Sequence, residues 1–482
     1  MSILSLEYLL LAAGVVITYY LLPLKLRWIA LLVGSTAFLV FSGWQSIAHL
    51  SAVALIMWGG ALLLTKHKSR WLLSLLLLLD LGSMAFLKSY PPLSGAQLIL
   101  PVGLSYFSFQ SAGYLIDVYR CKAEAQKNPL KAWLFIGYFP QLAQGPISTI
   151  KELGGQLCVG NRFEPDSFVT GFQLLLWGYF KKMVVADRLV ATTEALLKGG
   201  DLPGWFILGG VILFTIRLYM DFSGGMDVVR GTSRMMGIEL PENFRRPFFS
   251  QSVAEYWRRW HITLGAWFRS YLLYPIAVSR AGIALGKSAS KVFGRKTGLA
   301  LPGALATLLV FLLIGVWHAA KWNAVIYGAY FGLVMAASLL LDPVWRSVRK
   351  ALNLSSKGLM MFVRLVRTWG LILIAQYFAF TLYPDQGFSL MKRTFQNWSF
   401  DDFAAQMKAV MPTLEWIIVG LGCLLVLGVD LLCERKIDVG GKLSKTNVLV
   451  RWPVLFFLIL AIAVFGIYGA GYDSTAFLYT QF

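Results

Sequence analysis

Apolar runs about as long as a bilayer is thick recur along this 482-residue chain, and nothing else constrains its fold as strongly. Inside hydrocarbon every backbone N–H and C=O must be paired within the segment, so such runs fold as spanning helices. Over the first quarter of the sequence they cover about residues 6–22, 28–42, 46–64, 71–87 and 98–116. Only 14% of the residues are charged and 57% are apolar, where a soluble domain carries about a quarter charged. This excludes an ordinary soluble enzyme and a disordered chain. Length alone would allow about three soluble domains; the recurring runs predict one all-α polytopic membrane domain over residues 1–482 instead.

Charge between the runs predicts orientation. Lys25 and Arg27 occupy the first joint, the second (Ser42-Gly43-Trp44-Gln45) is uncharged, and Lys66, His67, Lys68 and Arg70 follow in the third. The stretch 89–97 is poorly charged, and Arg120, Lys122, Lys127 and Lys131 come next. Basic joints face the cytoplasm, so the N-terminus is expected outside and Arg120 inside. The first run has Glu7 and no basic lead, which reads as a retained span. Lys+Arg total 44 and Asp+Glu 24, a net charge of +20. In a membrane chain this excess is an orientation signal and an attraction to anionic lipid, not a sign of nucleic-acid binding. Cys121, Cys158, Cys423 and Cys433 have neither disulfide-framework nor zinc-site spacing.

From about 131 to 236 the pattern degrades: the runs 131–147, 167–186 and 204–220 are interrupted by Pro140, Pro146, Gly178 and the pair Gly224-Gly225. Re-entrant segments are the expectation, because irregular backbone at membrane depth needs cover from protein or a water-filled cavity. Residues 217–296 hold thirteen Lys/Arg against five Asp/Glu and are expected at the cytoplasmic face. Beyond them the runs 301–318, 322–341, 366–383, 413–433 and 452–470 bring the total to roughly eleven spans and an external C-terminus. Asp80, inside the run 71–87, is expected to pair with another helix.

Of four histidines, His49 and His67 sit at span ends in ordinary company. His261 lies in Val253-Ala-Glu-Tyr-Trp-Arg-Arg-Trp-His-Ile-Thr-Leu-Gly-Ala-Trp-Phe-Arg-Ser-Tyr271. Continuous helix there would put Trp257, His261, Leu264 and Phe268 on one face, Arg258 and Arg269 on another, and Glu255 within reach of Arg259. An interfacial amphipathic helix explains the aromatics and arginines but leaves a histidine on the apolar stripe unexplained. His318 ends the run from Leu301, about 26 Å along a helix and so past the bilayer midplane. A side chain there is either a neutral imidazole bonded to a carbonyl or a functional group, and an imidazole can serve as general base toward a hydroxyl. No Ser-His-Asp order, nucleophile elbow, phosphate loop or metal-ligand spacing accompanies it. Asp221 and Asp227 follow an apolar run and would orient Arg230 or Arg245, or help to position a polar substrate.

Together these segments resemble the membrane-bound O-acyltransferases, and most of all the bacterial branch of alginate O-acetylation and teichoic-acid D-alanylation proteins. The matching stretches are Phe139-Pro-Gln-Leu-Ala-Gln-Gly-Pro146, Asp221-Phe-Ser-Gly-Gly-Met-Asp227, Pro241-Glu-Asn-Phe-Arg-Arg-Pro247, Tyr256-Trp-Arg-Arg-Trp-His261 and Val316-Trp-His318 with Trp322-Asn323. Their order fits over about residues 100–335, and Phe477-Leu-Tyr-Thr-Gln-Phe482 is also similar. One departure stands out. Where alginate-type members carry Ile-Pro-Leu-Gly-Gly, this chain has Leu273-Tyr-Pro-Ile-Ala-Val-Ser-Arg280 running into the basic segment Lys287–Lys296.

The resemblance implies spans around a central tunnel, with a cytoplasmic thioester donor and an acceptor hydroxyl outside. It carries the family's key histidine to His318 and its second to His261, and suggests Asn323, Trp257, Arg258 and Asp221 as substrate or tunnel residues. It implies no permanently bound cofactor and no metal; acetyl-CoA or a carrier-protein thioester is the donor. A bacterial plasma membrane and an extracytoplasmic SGNH-type or similar acyl-relay partner are implied with it. Rival classes are a transporter, against which the absence of visible repeats counts, and a scaffold for polysaccharide export.

Overall fold

The computed structural model describes residues 1–94, 100–198, 200, 202–319, 321–351 and 357–468. Among these residues the regular structure is helical, apart from one isolated bridge between Phe244 and Trp260. Nine helices of the described residues are long and apolar enough to cross a membrane. Leu6–Leu21 is a shorter apolar helix, at 16 residues, and Leu104–Tyr119 has the same length. The chain is an all-α, multi-pass membrane protein. The C-terminal motif Phe477–Phe482 lies outside the described residues.

Burial separates two kinds of spanning helix. Only 17% of the most apolar window is buried in Arg70–Ser89, Trp322–Asp342, Gly358–Ala379, Thr413–Glu434 and Val448–Phe465, against 72% in Gly204–Arg234. The former are only partly covered by the rest of the protein, and the latter is enclosed by it. Leu104–Tyr119 is also enclosed, every residue from Phe107 to Val118 being buried. That is why it can carry Ser108, Gln110, Ser111 and Asp117.

The chain divides into two compact units. Of the described residues, one comprises Met1–Arg188, Arg217–Asn243 and those from Leu414 on; the other comprises Leu189–Ile216 and Phe244–Thr413. In the first unit the degraded stretch forms short pieces: Pro129–Gly137, started by the Asn128 side chain, then Phe139–Gln144 after a break at Tyr138, and Pro165–Tyr179 running into a π-helical turn at Phe180–Ala186. One of the two side-chain amides in this stretch, that of Gln141, is bonded locally. Gln141 Nε2 donates to Ser148 Oγ (3.0 Å) and to the Pro146 carbonyl, and Gln110 Nε2 donates to Gln141 Oε1 at 3.3 Å.

At Gly224-Gly225 the expected interruption does not occur: the helix runs unbroken from Gly204 to Arg234. These glycines serve a crossing. A Cβ on Gly171, Gly178, Gly224 or Gly231 would lie 2.5–2.8 Å from the carbonyl oxygen of its opposite number, Gly171 facing Gly231 and Gly178 facing Gly224. Heptad-spaced glycines on both helices thus bring the backbones of Pro165–Tyr179 and Gly204–Arg234 into direct contact, the small-residue packing that membranes favour. Close approach offsets the roughly 1 kcal/mol that each helical glycine costs against alanine.

In the second unit Arg295–His318 and Trp322–Ala351 form an antiparallel hairpin. Gly315 and Gly328 meet backbone to backbone, each leaving no space for a Cβ. Gly294, at φ +78°, makes the turn from the amphipathic helix Arg280–Phe293 into the first arm.

Candidate active site

The Trp-Arg-Arg-Trp-His segment departs from the single helix that its spacing predicts. Ser252 caps Val253–Arg259 by accepting from the Glu255 N–H (3.1 Å), and Glu255 pairs with Arg259 at 2.7 Å as expected. The helix then stops. Trp260 is extended and bridges to Phe244, the Arg245 N–H donates to the Arg259 carbonyl at 2.8 Å, and the Phe244 and Trp260 rings meet edge to face at 4.9 Å. Pulled sideways by this pairing, His261 takes a left-handed backbone (φ 45°, ψ 53°) and begins a second helix, Ile262–Phe268. The single face shared by Trp257, His261, Leu264 and Phe268 therefore does not form. A non-glycine residue in this region is strained, and such strain concentrates at functional sites.

Beyond the break, His261 lies near enough to His318 to feel its charge. His261 is 3% exposed, and His318 is half-buried at the C-terminal end of its arm, its ring 4.5 Å from that of Trp317. His261 lies between spans, and burial there holds its imidazole well below the usual histidine range; the neighbouring His318 adds to this by opposing a second positive charge. His261 is accordingly neutral at physiological pH. Trp257 connects this segment to both arms of the hairpin, its ring edge-on to Phe311 (5.1 Å) and Phe331 (5.0 Å).

Asn323 opens the second arm and is 4% exposed. Its Nδ2 donates to both the carbonyl (2.7 Å) and Oγ1 (2.9 Å) of Thr381, and Thr381 spends its own hydroxyl proton on the Tyr377 carbonyl (2.8 Å). The amide cannot flip, because a carbonyl accepts only. Among the described residues its Oδ1 is buried without a partner, and an orphaned buried acceptor calls for an explanation. Arg258 is exposed and adjoins Arg269, which is half-buried.

Asp221 belongs to the first unit and is committed there. Lys182 Nζ lies 2.5 Å from Asp221 and 2.7 Å from Asp187, and all three side chains are at most 7% exposed. Lys181 holds Asp227 and Ser223 at 2.7 and 2.9 Å. The expectation that these carboxylates orient arginines holds in part: Asp227 is 3.6 Å from Arg230. Asp221 itself pairs with a lysine. Lys181 and Lys182 carry a sequence signal of their own, two adjacent lysines inside the run 167–186. Thr381 had no such signal, since its role depends on what folds against it.

No family model matches the chain. Among proteins of known name, it is 31% identical to the probable alginate O-acetylase AlgI of Pseudomonas fluorescens, over 70% of this chain and 64% of that one. It is also 31% identical to the protein of the same name from Azotobacter vinelandii, over 69% of this chain and 67% of the other. The alignments thus take in about two thirds of the relatives' own length. A teichoic acid D-alanyltransferase of Streptococcus thermophilus matches at 26% identity over 61% of this chain. With likeness of this extent joined to an all-helical membrane fold, the chain belongs to the membrane-bound O-acyltransferase family.

Proposed function

We propose that this protein moves an acyl group from a thioester donor on the cytoplasmic side of a bacterial plasma membrane to a hydroxyl group of an extracytoplasmic cell-envelope polymer or relay protein. The observation that carries this reading is the nearness of His261 to His318, one on a strained backbone between two short helices and the other at the tip of the glycine-packed hairpin. Such a backbone persists only where the surrounding structure over-determines it, and it clusters at functional sites.

In the proposed reaction, His318 accepts the proton of the acceptor hydroxyl as its oxygen attacks the thioester carbonyl. The tetrahedral intermediate collapses, the C–S bond breaks, and the proton passes from His318 to the departing thiolate. No redox change or metal is required. His261, neutral and buried, orients His318 or the thioester, and Asn323 offers a fixed acceptor beside the hairpin tip. Arg258 and Arg269 gather positive charge near His261, and the basic stretch from Arg280 to Lys296 extends it. Such a surface meets the phosphates of a CoA thioester. The relatives named O-acetylases favour an acetyl group; the relative named a D-alanyltransferase makes D-alanine on a carrier protein the alternative. The N-terminus lies outside in this scheme, and an SGNH-type relay protein would receive the ester.

The test is purified protein in proteoliposomes supplied with acetyl-CoA or with a D-alanyl carrier protein, with ester formation measured on a hydroxyl acceptor. Transfer from acetyl-CoA supports the acetyl reading, transfer from the carrier alone moves the donor, and transfer from neither defeats the enzyme. The strain at His261 supplies a sharper arm. Asparagine tolerates the left-handed region far better than alanine. His261→Asn is therefore expected to keep wild-type thermal stability while turnover falls at least tenfold, and His261→Ala to lose about 1 kcal/mol of stability as well. Full turnover in His261→Asn would reduce this histidine to a structural role.

A further inference from the structure

The helix Arg280–Phe293 carries a cationic edge for which its own stretch of sequence holds no counter-charge. Ser279 starts the helix by accepting from the Gly282 N–H at 3.1 Å. Its small residues face the first arm of the hairpin. Gly286 and Ala289 are buried, a Cβ on Gly286 would lie 3.3 Å from Pro302 Cγ, and one on Gly298 would enter the backbone at Ser290. Arg280, Lys287 and Lys291 recur at intervals of seven and four residues, so they form one stripe on the side away from this packing. All three are exposed, and among the described residues none is held by an ion pair. No Asp or Glu occurs between Glu255 and Asp342. Exposed apolar side chains flank the stripe, Leu285 and Val292 on one side and Ile283 on the other.

Cations between apolar flanks match one partner in both respects. The phosphates of an anionic phospholipid meet the guanidinium and ammonium groups, and its acyl chains cover the flanks, with the long Arg and Lys stems reaching between the two. The phosphates of an acyl donor call for charge near His261, where Arg258 and Arg269 stand; a nucleotide gives no reason for apolar side chains beside the cations. We propose that the helix Arg280–Phe293 is a docking surface for anionic phospholipid, held by Arg280, Lys287 and Lys291. Each basic group beside an anionic bilayer raises affinity about fivefold, so three together favour an anionic over a zwitterionic lipid by about tenfold or more. Through Gly294 the helix leads into the arm that ends at His318, and a lipid held here steadies that arm from its near end. The leaflet is the cytoplasmic one in the orientation proposed above, but the contact does not depend on the orientation.

The experiment uses the full chain, stripped of lipid in a neutral detergent at low ionic strength and titrated with phosphatidylglycerol or phosphatidylcholine. Wild-type protein is expected to bind phosphatidylglycerol about tenfold more tightly or better, with a saturable rise in Tm of about 2–5 °C. Salt at about 0.5 M should remove most of that preference. The variant Arg280→Gln/Lys287→Gln/Lys291→Gln alters exposed side chains only and is expected to fold and to bind the two lipids alike. If it fails to fold, the wild-type titrations decide by themselves. Equal affinity for both lipids in wild type, or an undiminished preference in the folded variant, would overturn the surface. Displacement of bound phosphatidylglycerol by CoA at matched ionic strength would overturn it as well, and would give the stripe to the acyl donor. No turnover is read, so failure of the transferase reading would leave these results unchanged.

Discussion

Envelopes from cells carrying His318→Ala are expected to lose the alkali-labile ester that wild-type cells contain, with the protein present at its normal level. The proposed general base is removed, and such a group is worth about 10²–10⁴-fold in rate. The fold should survive. His318 is only half-buried and stands at the end of its helix, while the hairpin beneath it is held by Gly315 and Gly328. Mild alkali releases O-linked esters, and acetate and D-alanine are quantified together. Loss of acetate identifies an acetyltransferase, and loss of D-alanine a carrier-dependent enzyme. If neither changes at normal protein level, the transferase reading is wrong and a transporter or scaffold takes its place.

The largest effect on stability is expected at Lys182. Its ammonium group lies between Asp221 and Asp187 with almost no access to solvent. Lys182→Met leaves two carboxylates buried against each other without a cation, and breaking a buried pair from one side costs about 3–5 kcal/mol. Asp221→Asn is expected to cost less, because Lys182 keeps Asp187. Removing all three charges together (Lys182→Met with Asp221→Asn and Asp187→Asn) should recover much of the loss, since a neutral, well-packed cluster is often no worse than the ions it replaces. Thermal unfolding of the four proteins in detergent gives the ranking. A Lys182→Met protein as stable as wild type would show that the cluster contributes nothing to the fold. A selective rise in KM in Asp221→Asn, with stability unchanged, would instead return Asp221 to the substrate path.

The spanning helices and the two histidines were legible in the amino-acid sequence for the same reason. Hydrocarbon demands a continuous apolar length, so 46–64 and 301–318 announce themselves and match Trp44–Lys66 and Arg295–His318 closely. Against that background an imidazole such as His318 stands out because it is costly. The glycine crossing was half legible: Gly224-Gly225 stands out in the sequence, but by itself it suggests a break. The seven-residue interval shared by Gly171 and Gly178 on one helix and Gly224 and Gly231 on the other holds the information that was needed.

The break at His261 was not legible. Local spacing favours helix from Val253 to Tyr271, and the alternative depends on Phe244 and Arg245 arriving alongside Trp260 and Arg259. The fate of Asp221 was hidden similarly, because the lysine that claims it lies on another helix. Hydrophobic length and local periodicity are properties of neighbours along the chain, and these settled the membrane class, most of the spans and the two candidate histidines. Which buried charge finds which partner, and where a helix gives way, are decided by groups distant in sequence. Their desolvation and pairing energies exist only once the helices have packed.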